Sequence, residues 1–326
     1  MKTGKIPENV LKRSVLKKLT VKRPEVLVHS GIGEDCSVLQ AGNDAIVLST
    51  DPITGTAKDI GKLAFHVTAN DIASSGAELI GILLTIIFPP DSSEEELKEI
   101  MSDVSELAEA HQVEILGGHT EVSAAVKQTL VSVTGVGRIA EERLVTTGGL
   151  KAGHDIVVTK WIGLEGTSIL AKEKEVELAE RLPLDMVETA KSFDRYLSVV
   201  PDSRVAMEVG VSAMHDVTEG GIFGALWEMA SASGVGLEID LKRIPVRQET
   251  IEVCEVFDIN PYMLISSGAM LIGTPHGSCL IEKLKRAGIH GAVVGCATAG
   301  KDRVVLNGEE RRFLEPPKTD ELFRVL

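Results

Sequence analysis

The sequence predicts a two-domain protein of the α/β (α+β) class. Strand-like apolar runs alternate with longer helical ones from Ala45 onward, and the pattern restarts after a polar, glycine-rich stretch, "GGLKAGHD", at residues 148–155. The length of 326 residues also exceeds what one ordinary core holds. The boundary divides the chain into residues 1–150 and 151–326.

Each element has a local reason. A short amphipathic helix follows Pro7, with Val10, Leu11, Val15 and Leu19 turned inward. "AIVLSTD" reads as a strand, residues 59–76 as a helix, and "ELIGILLTIIF" as a strand stopped by Pro89 and Pro90. The helix over 93–111 is capped by Ser92 or Ser93, and Glu94 to Glu96 suit the positive end of its dipole. "VEIL" and "QTLVSVTGVGR" complete the first half as strands. In the second half "IVVTKW" is a strand, and helices follow over 166–174, 184–197 and 202–209. "VSAMHDVTEGG" leads into an apolar helix, "IFGALWEMA". "AMLIGT" and "GAVVGCA" are short buried strands flanking a helix over 277–287.

Composition narrows the function. With 44% hydrophobic and 25% charged residues the chain builds well-buried cores. A net charge of -14 and 3% aromatic content oppose a nucleic-acid surface, while leaving room for a small polyanion brought in by a carboxylate-bound cation. Cys36, Cys254, Cys279 and Cys296 form no CxxC pair, so neither a zinc site nor a disulfide framework is expected, and a reducing cytoplasm fits. The basic N-terminal stretch lacks the apolar core of a signal peptide, and residues 79–88 are too short to span a bilayer. A soluble protein with no membrane partner follows.

The familiar phosphate motifs are missing. "GTAKDIGKL" has one residue too many between its outer glycines for a P-loop and carries Leu63 where Ser or Thr binds magnesium; "GIGEDC" and "GVGRIA" lack the third dinucleotide glycine. What remains is a set of aspartates in unusual places. Asp35 follows flexible glycines, Asp51 closes "IVLSTD", and Asp71 lies inside "AFHVTANDIASSG", a helix of small and apolar residues where a carboxylate needs a cation or donors. Singly, each is equally well read as a turn, cap or surface residue. In "HDVTEGGIFGALWEMA", Asp216 or Thr218 suits a helix cap, and Gly220 and Gly221 would let an anion approach free N–H groups at the helix start; ordinary capping explains the same pattern.

Taken in order, "GKIPENVL", "GIGEDCSVL", "LSTDPITG", "GKLAFHVTANDIASSGAEL", "GGHTEV", "HDVTEGGIFGALWEMA" and "FDINPYMLISSGAMLI" resemble the aminoimidazole ribonucleotide (AIR) synthase superfamily. That superfamily includes thiamine-monophosphate kinase, selenophosphate synthetase and the hydrogenase maturation protein HypE, and the likeness is greatest to HypE. The resemblance implies a PurM-like architecture: an N-terminal domain whose sheet joins that of a second subunit in a dimeric β-barrel, a C-terminal α/β domain, and ATP in a cleft between them. It implies a cytoplasmic homodimer acting on a small-molecule substrate with ATP and Mg2+. By the same resemblance Asp35, Asp51 and Asp71 hold the metal; His119, Glu121 and Asp216 are catalytic; and Gly117, Gly118, Thr120, Thr218, Gly220 and Gly221 contact the cofactor.

Two departures bear on mechanism. Where "GGHTEV" stands, family members carry GGDT or GGET, so His119 occupies the slot of an acid. Magnesium prefers oxygen, which gives His119 a hydrogen-bonding role and leaves Glu121 to supply the charge, although an extended backbone is expected to turn the two in alternate directions. A histidine satisfied by turn carbonyls is the plainer reading. HypE also uses a cysteine in its C-terminal tail as carbamoyl acceptor, whereas the last cysteine here is Cys296, so transfer onto the chain's own tail is not expected. The resulting expectation is an ATP-dependent enzyme of synthetase or dehydratase type that phosphorylates an oxygen of its substrate. The alternatives are a small-molecule kinase resembling thiamine-monophosphate kinase and a non-catalytic nucleotide-binding regulator.

Overall fold

The computed structural model describes residues 4–53, 59–316 and 319–326. Thr54 and Gly55 of "LSTDPITG", the first four residues of the P-loop-like stretch, and Pro317 and Lys318 lie outside the described residues. Two compact units are present, one comprising Pro24–His29 and Asp35–Leu144, the other Met1–Arg23, Ser30–Glu34 and Val145–Leu326.

Along the first half run α1 (Glu8–Ser14), β1 (Val26–Val28), β2 (Ser37–Ala41), β3 (Asp44–Ile53), α2 (Ile60–Ser74), β4 (Glu78–Phe88), α3 (Glu94–His111), β5 (Glu114–Val122) and β6 (Leu130–Ala140). The six strands form one sheet in the order β1-β2-β3-β6-β4-β5. Most neighbours are antiparallel, but β4 and β5 are parallel because α3 carries the chain back between them. Alternate residues of β3 and β6 are buried, and Phe65 and Ile72 of α2 are fully enclosed with Val131 and Val133 of β6. The period of two in the strands thus aims one sheet face at the helices.

Ser93 is the cap of α3, where a complete capping box forms: its hydroxyl accepts from Glu96 N–H at 3.2 Å and the Glu96 carboxylate accepts from Ser93 N–H at 3.2 Å. The N-terminal helix differs from its sequence pattern. It ends at Ser14, and Val15 and Leu19 stand 46% and 45% exposed. Val10 and Leu11 are half-buried, and polar contacts also hold this segment to the second unit: Glu8 accepts from Trp227 Nε1 at 3.1 Å, and Lys5 Nζ reaches Glu228 at 3.0 Å.

The second half contains β7 (Asp155–Thr159), α4 (Leu164–Glu173), α5 (Glu175–Ala179), α6 (Leu184–Lys191), α7 (Val200–Val209), β8 (Ala213–Asp216), α8 (Gly221–Ser233), β9 (Gly236–Asp240), α9 (Gln248–Phe257), β10 (Met270–Thr274), α10 (Gly277–Arg286), β11 (Gly291–Thr298), β12 (Arg303–Asn307) and β13 (Glu310–Phe313). Its seven-stranded sheet has the order β13-β12-β9-β11-β7-β10-β8. The central strands are buried on both faces, with Val157 and Val158 of β7 both inaccessible. The apolar side of α8 (Ile222, Ala225, Leu226, Met229) joins Ile156, Val158 and Leu271 in one core. No helix among the described residues is long and apolar enough to cross a membrane.

Candidate active site

In the first unit, two serines link β3, α2 and the segment before β2: Ser49 joins the carboxylates of Asp51 and Asp71, and Ser74 joins the Asp35 carboxylate to the Asp71 main-chain carbonyl. Asp71, on the sheet-facing side of α2, is only 6% exposed. Its Oδ2 accepts a short hydrogen bond from Ser49 Oγ, and the same hydroxyl lies 3.4 Å from Asp51 Oδ2. Ser74 Oγ lies 2.7 Å from the Asp71 carbonyl and 3.0 Å from Asp35 Oδ2. Cys36 Sγ reaches the same carbonyl at 3.1 Å. The sequence expectation that a carboxylate within α2 requires donors is met, at least in part, by Ser49. The carboxylate and hydroxyl oxygens of Asp35, Asp51, Asp71, Ser49 and Ser74 are hard donors of the kind Mg2+ prefers.

His119 and Glu121 are placed differently. Both lie on β5, at the sheet edge, with side chains 65% and 48% exposed, and His119 Nε2 is 3.1 Å from Glu121 Oε2. Their shared direction corrects the expected alternation, because residues two apart on a strand project from one face. Two strands, β6 and β4, separate β5 from β3, which puts their backbones about 14 Å apart at the usual strand spacing. Within this unit the pair therefore does not complete the aspartate cluster. Gly118 has a packing reason for being glycine: with φ at 153°, an added Cβ would lie 1.8 Å from Leu84 O on β4. Gly117 and Thr120 are exposed beside it.

In the second unit, Asp216 ends β8 and is 1% exposed, followed by the turn into α8. Two of the amides at this helix start are engaged within the chain. Gly220 N–H donates to Asp320 Oδ2 at 2.6 Å, and Gly221 N–H to the Thr218 carbonyl at 3.0 Å. Gly221, at φ 60°, leaves no space for a Cβ, which would meet Tyr262 O at 2.7 Å and Leu264 O at 2.8 Å. The two glycines shape the turn, and in this structure they do not present open donors.

Three acids around this turn are perturbed. Burial pushes the Glu165 carboxyl up to about 7, although its Oε2 accepts from Ser267 N–H at 3.2 Å. Burial likewise raises Asp320 to about 6. Glu228 is also buried, but hydrogen bonds and charge from His215 and Lys5 overcome that and lower it to about 2; His215 Nε2 is 3.2 Å away.

Ser49 and Ser74 were missed from sequence, yet a signal was present. Ser49 is two residues before Asp51 on a strand and Ser74 three after Asp71 on a helix, spacings that place each pair on one face. Glu165, Glu228 and Asp320 carried no such signal, since their partners are 102, 13 and 100 residues distant.

These features define a two-domain α/β protein with an oxygen-lined carboxylate site backed by the first sheet. The chain belongs to the AIR synthase related protein family: the model of the N-terminal domain matches residues 33–139 and that of the C-terminal domain residues 151–307. It is 27% identical to a protein of Methanocaldococcus jannaschii described as a hydrogenase expression/formation protein, over 99% of this chain and 97% of that one. It is also 27% identical to the carbamoyl dehydratase HypE of Rhodobacter capsulatus, covering 84% of this chain and 79% of the relative. Among solved structures, hydrogenase maturation protein HypE in complex with ATP superposes with a TM-score of 0.71 at 19% identity, covering 96% and 95% of the two chains. The fold is thus that of HypE, and the chain falls among the enzymes of the family.

Proposed function

We propose that this protein is a HypE-like enzyme that uses Mg-ATP to phosphorylate an oxygen of a small-molecule substrate, in a reaction of synthetase or dehydratase type. The observation that carries the reading is the linkage of the Asp51 and Asp71 carboxylates through Ser49, with Ser74 tying the Asp35 carboxylate to the Asp71 main-chain carbonyl. The ATP-bound HypE neighbour and the dehydratase relative support the choice of nucleotide and reaction. Asp35, Asp51 and Asp71 would hold Mg2+, which when bound neutralises charge on the transferring phosphoryl group. From the second unit, Asp216 and Thr218 serve the nucleotide or substrate side, and Gly220 and Gly221 set the turn that presents them.

The active form in this reading is a homodimer. The outer strand β5 is exposed along nearly all its length, and Leu83 and Leu116 stand 41% and 50% exposed on β4 and β5. Pairing of copies along this edge would put Gly117, Gly118, Thr120 and the His119–Glu121 pair in the seam.

Calorimetric titration with ATP, with and without magnesium, followed by phosphorus NMR of the same samples, tests the function. Magnesium-dependent binding with ADP and inorganic phosphate as products is the expected result. A stable phosphorylated product would identify a kinase instead, and binding without turnover across a broad substrate panel would identify a regulator. ATP binding indifferent to magnesium and to Asp51→Asn would remove the metal assignment.

A further inference from the structure

The turn between β8 and α8 is held by a residue outside the matched family domains. The C-terminal domain model ends at residue 307, yet Asp320 is 1% exposed and deeply engaged. Its Oδ2 accepts from Gly220 N–H at 2.6 Å, while Oδ1 accepts from Ile265 N–H at 3.2 Å and Leu322 N–H at 2.8 Å. Capping its own short helical turn, Glu321–Arg324, requires only the Leu322 contact. The other two bonds join segments 100 and 55 residues away. The neighbouring residues are built in as well: Leu322 is 2% exposed, and Glu321 accepts from Asn260 N–H at 3.4 Å.

We propose that Asp320 is a positioning residue for the turn at 217–221, its carboxylate taking the Gly220 amide and thereby setting how Asp216 and Thr218 are presented. The inference rests on the assignment of that turn to the nucleotide or substrate side. Two features favour a permanent clamp over a plug that a ligand displaces. The carboxylate is shared among three backbone donors, and Gly221 is wedged against the backbone of residues 262–264, so the turn and the clamp are packed as one piece. With Asp320 raised to about 6, the group is ionised at neutral pH and accepts through both oxygens.

Asp320→Asn separates the roles. An amide has one acceptor oxygen, so it can keep the Ile265 and Leu322 bonds only by turning its NH2 toward Gly220 N–H. Two readouts are taken on the full chain below its melting temperature: amide hydrogen exchange of the 217–221 turn, and Mg-ATP affinity with turnover. Exchange at the turn should rise about tenfold or more, and affinity or kcat/KM should fall by at least roughly tenfold, as loss of a charge-assisted hydrogen bond implies. Glu321→Gln, in the same segment but with no bond to the turn, should alter neither. Parental exchange in Asp320→Asn would overturn the clamp, and so would a loosened turn with unchanged affinity and turnover. If Asp320→Asn fails to fold, an unprotected Gly220 amide in the parent chain overturns it equally. A parent that binds no Mg-ATP would instead sink the functional assignment, and turn exchange would still decide the clamp.

Discussion

Asp71 shows how a charged side chain is accommodated inside a packed helix. The sequence context demands a donor, and β3 supplies it as Ser49. Ser49→Ala removes that donor from a buried carboxylate and should lower stability by about 1–3 kcal/mol, read by denaturant unfolding. Asp51→Asn leaves the fold intact and should weaken Mg-ATP binding by roughly tenfold or more in calorimetry. Glu165 gives a pH-dependent prediction. Its folded pKa, about 7, is above the ordinary carboxylate value of 4.5, so the folded state binds the extra proton and stability declines as pH rises through that interval. Glu165→Gln stays neutral and keeps an acceptor for Ser267 N–H. Relative to the parent it should gain about 2–3 kcal/mol between pH 4 and pH 8, measured by unfolding at both.

At the level of elements, legibility followed how local the determining forces are. β4 has the limits its apolar run predicts, Glu78–Phe88, and α3 starts directly after a capping box readable in sequence. Ser93→Ala should cost about 1 kcal/mol, seen as a lower unfolding midpoint with an unchanged slope. "VEIL" and "GGHTEV", by contrast, form a single strand, because Gly118 lets β5 run close against the backbone of β4. β1, β2, β9, β12 and β13 are short, and were not distinguished from sequence. Their pairing partners, rather than their own periodicity, make them strands. For α1, Val10 and Leu11 of the apolar stripe are half-buried while Val15 and Leu19 are exposed, and long-range polar contacts of Lys5 and Glu8 add to what fixes the segment.

At the level of the whole molecule, the sequence boundary at 150/151 falls close to the division at Leu144/Val145, but the chain is not cut cleanly in two. Residues of Met1–Arg23 and Ser30–Glu34 belong with the second unit. The proposed dimer gives the prediction at this scale. Sedimentation velocity should show a dimer, and Leu83→Lys with Leu116→Lys should convert it to a folded monomer by placing charge on an exposed apolar edge. A parent that sediments as a monomer would refute the interface.

The sequence by itself determined the α/β class, the two-domain organisation and the family, and it singled out Asp35, Asp51 and Asp71 as metal-ligand candidates. These rest on periodicity, turn residues and ordered motifs, all of which are local along the chain. Only the tertiary structure decided which hydroxyls join those aspartates, that His119 and Glu121 stand on an exposed strand edge, and that Asp320 engages Gly220 from 100 residues away. The physical reason is the range of the interactions: a donor supplied by another strand, or a carboxylate sealed against a distant turn, exists only when folding brings the segments together.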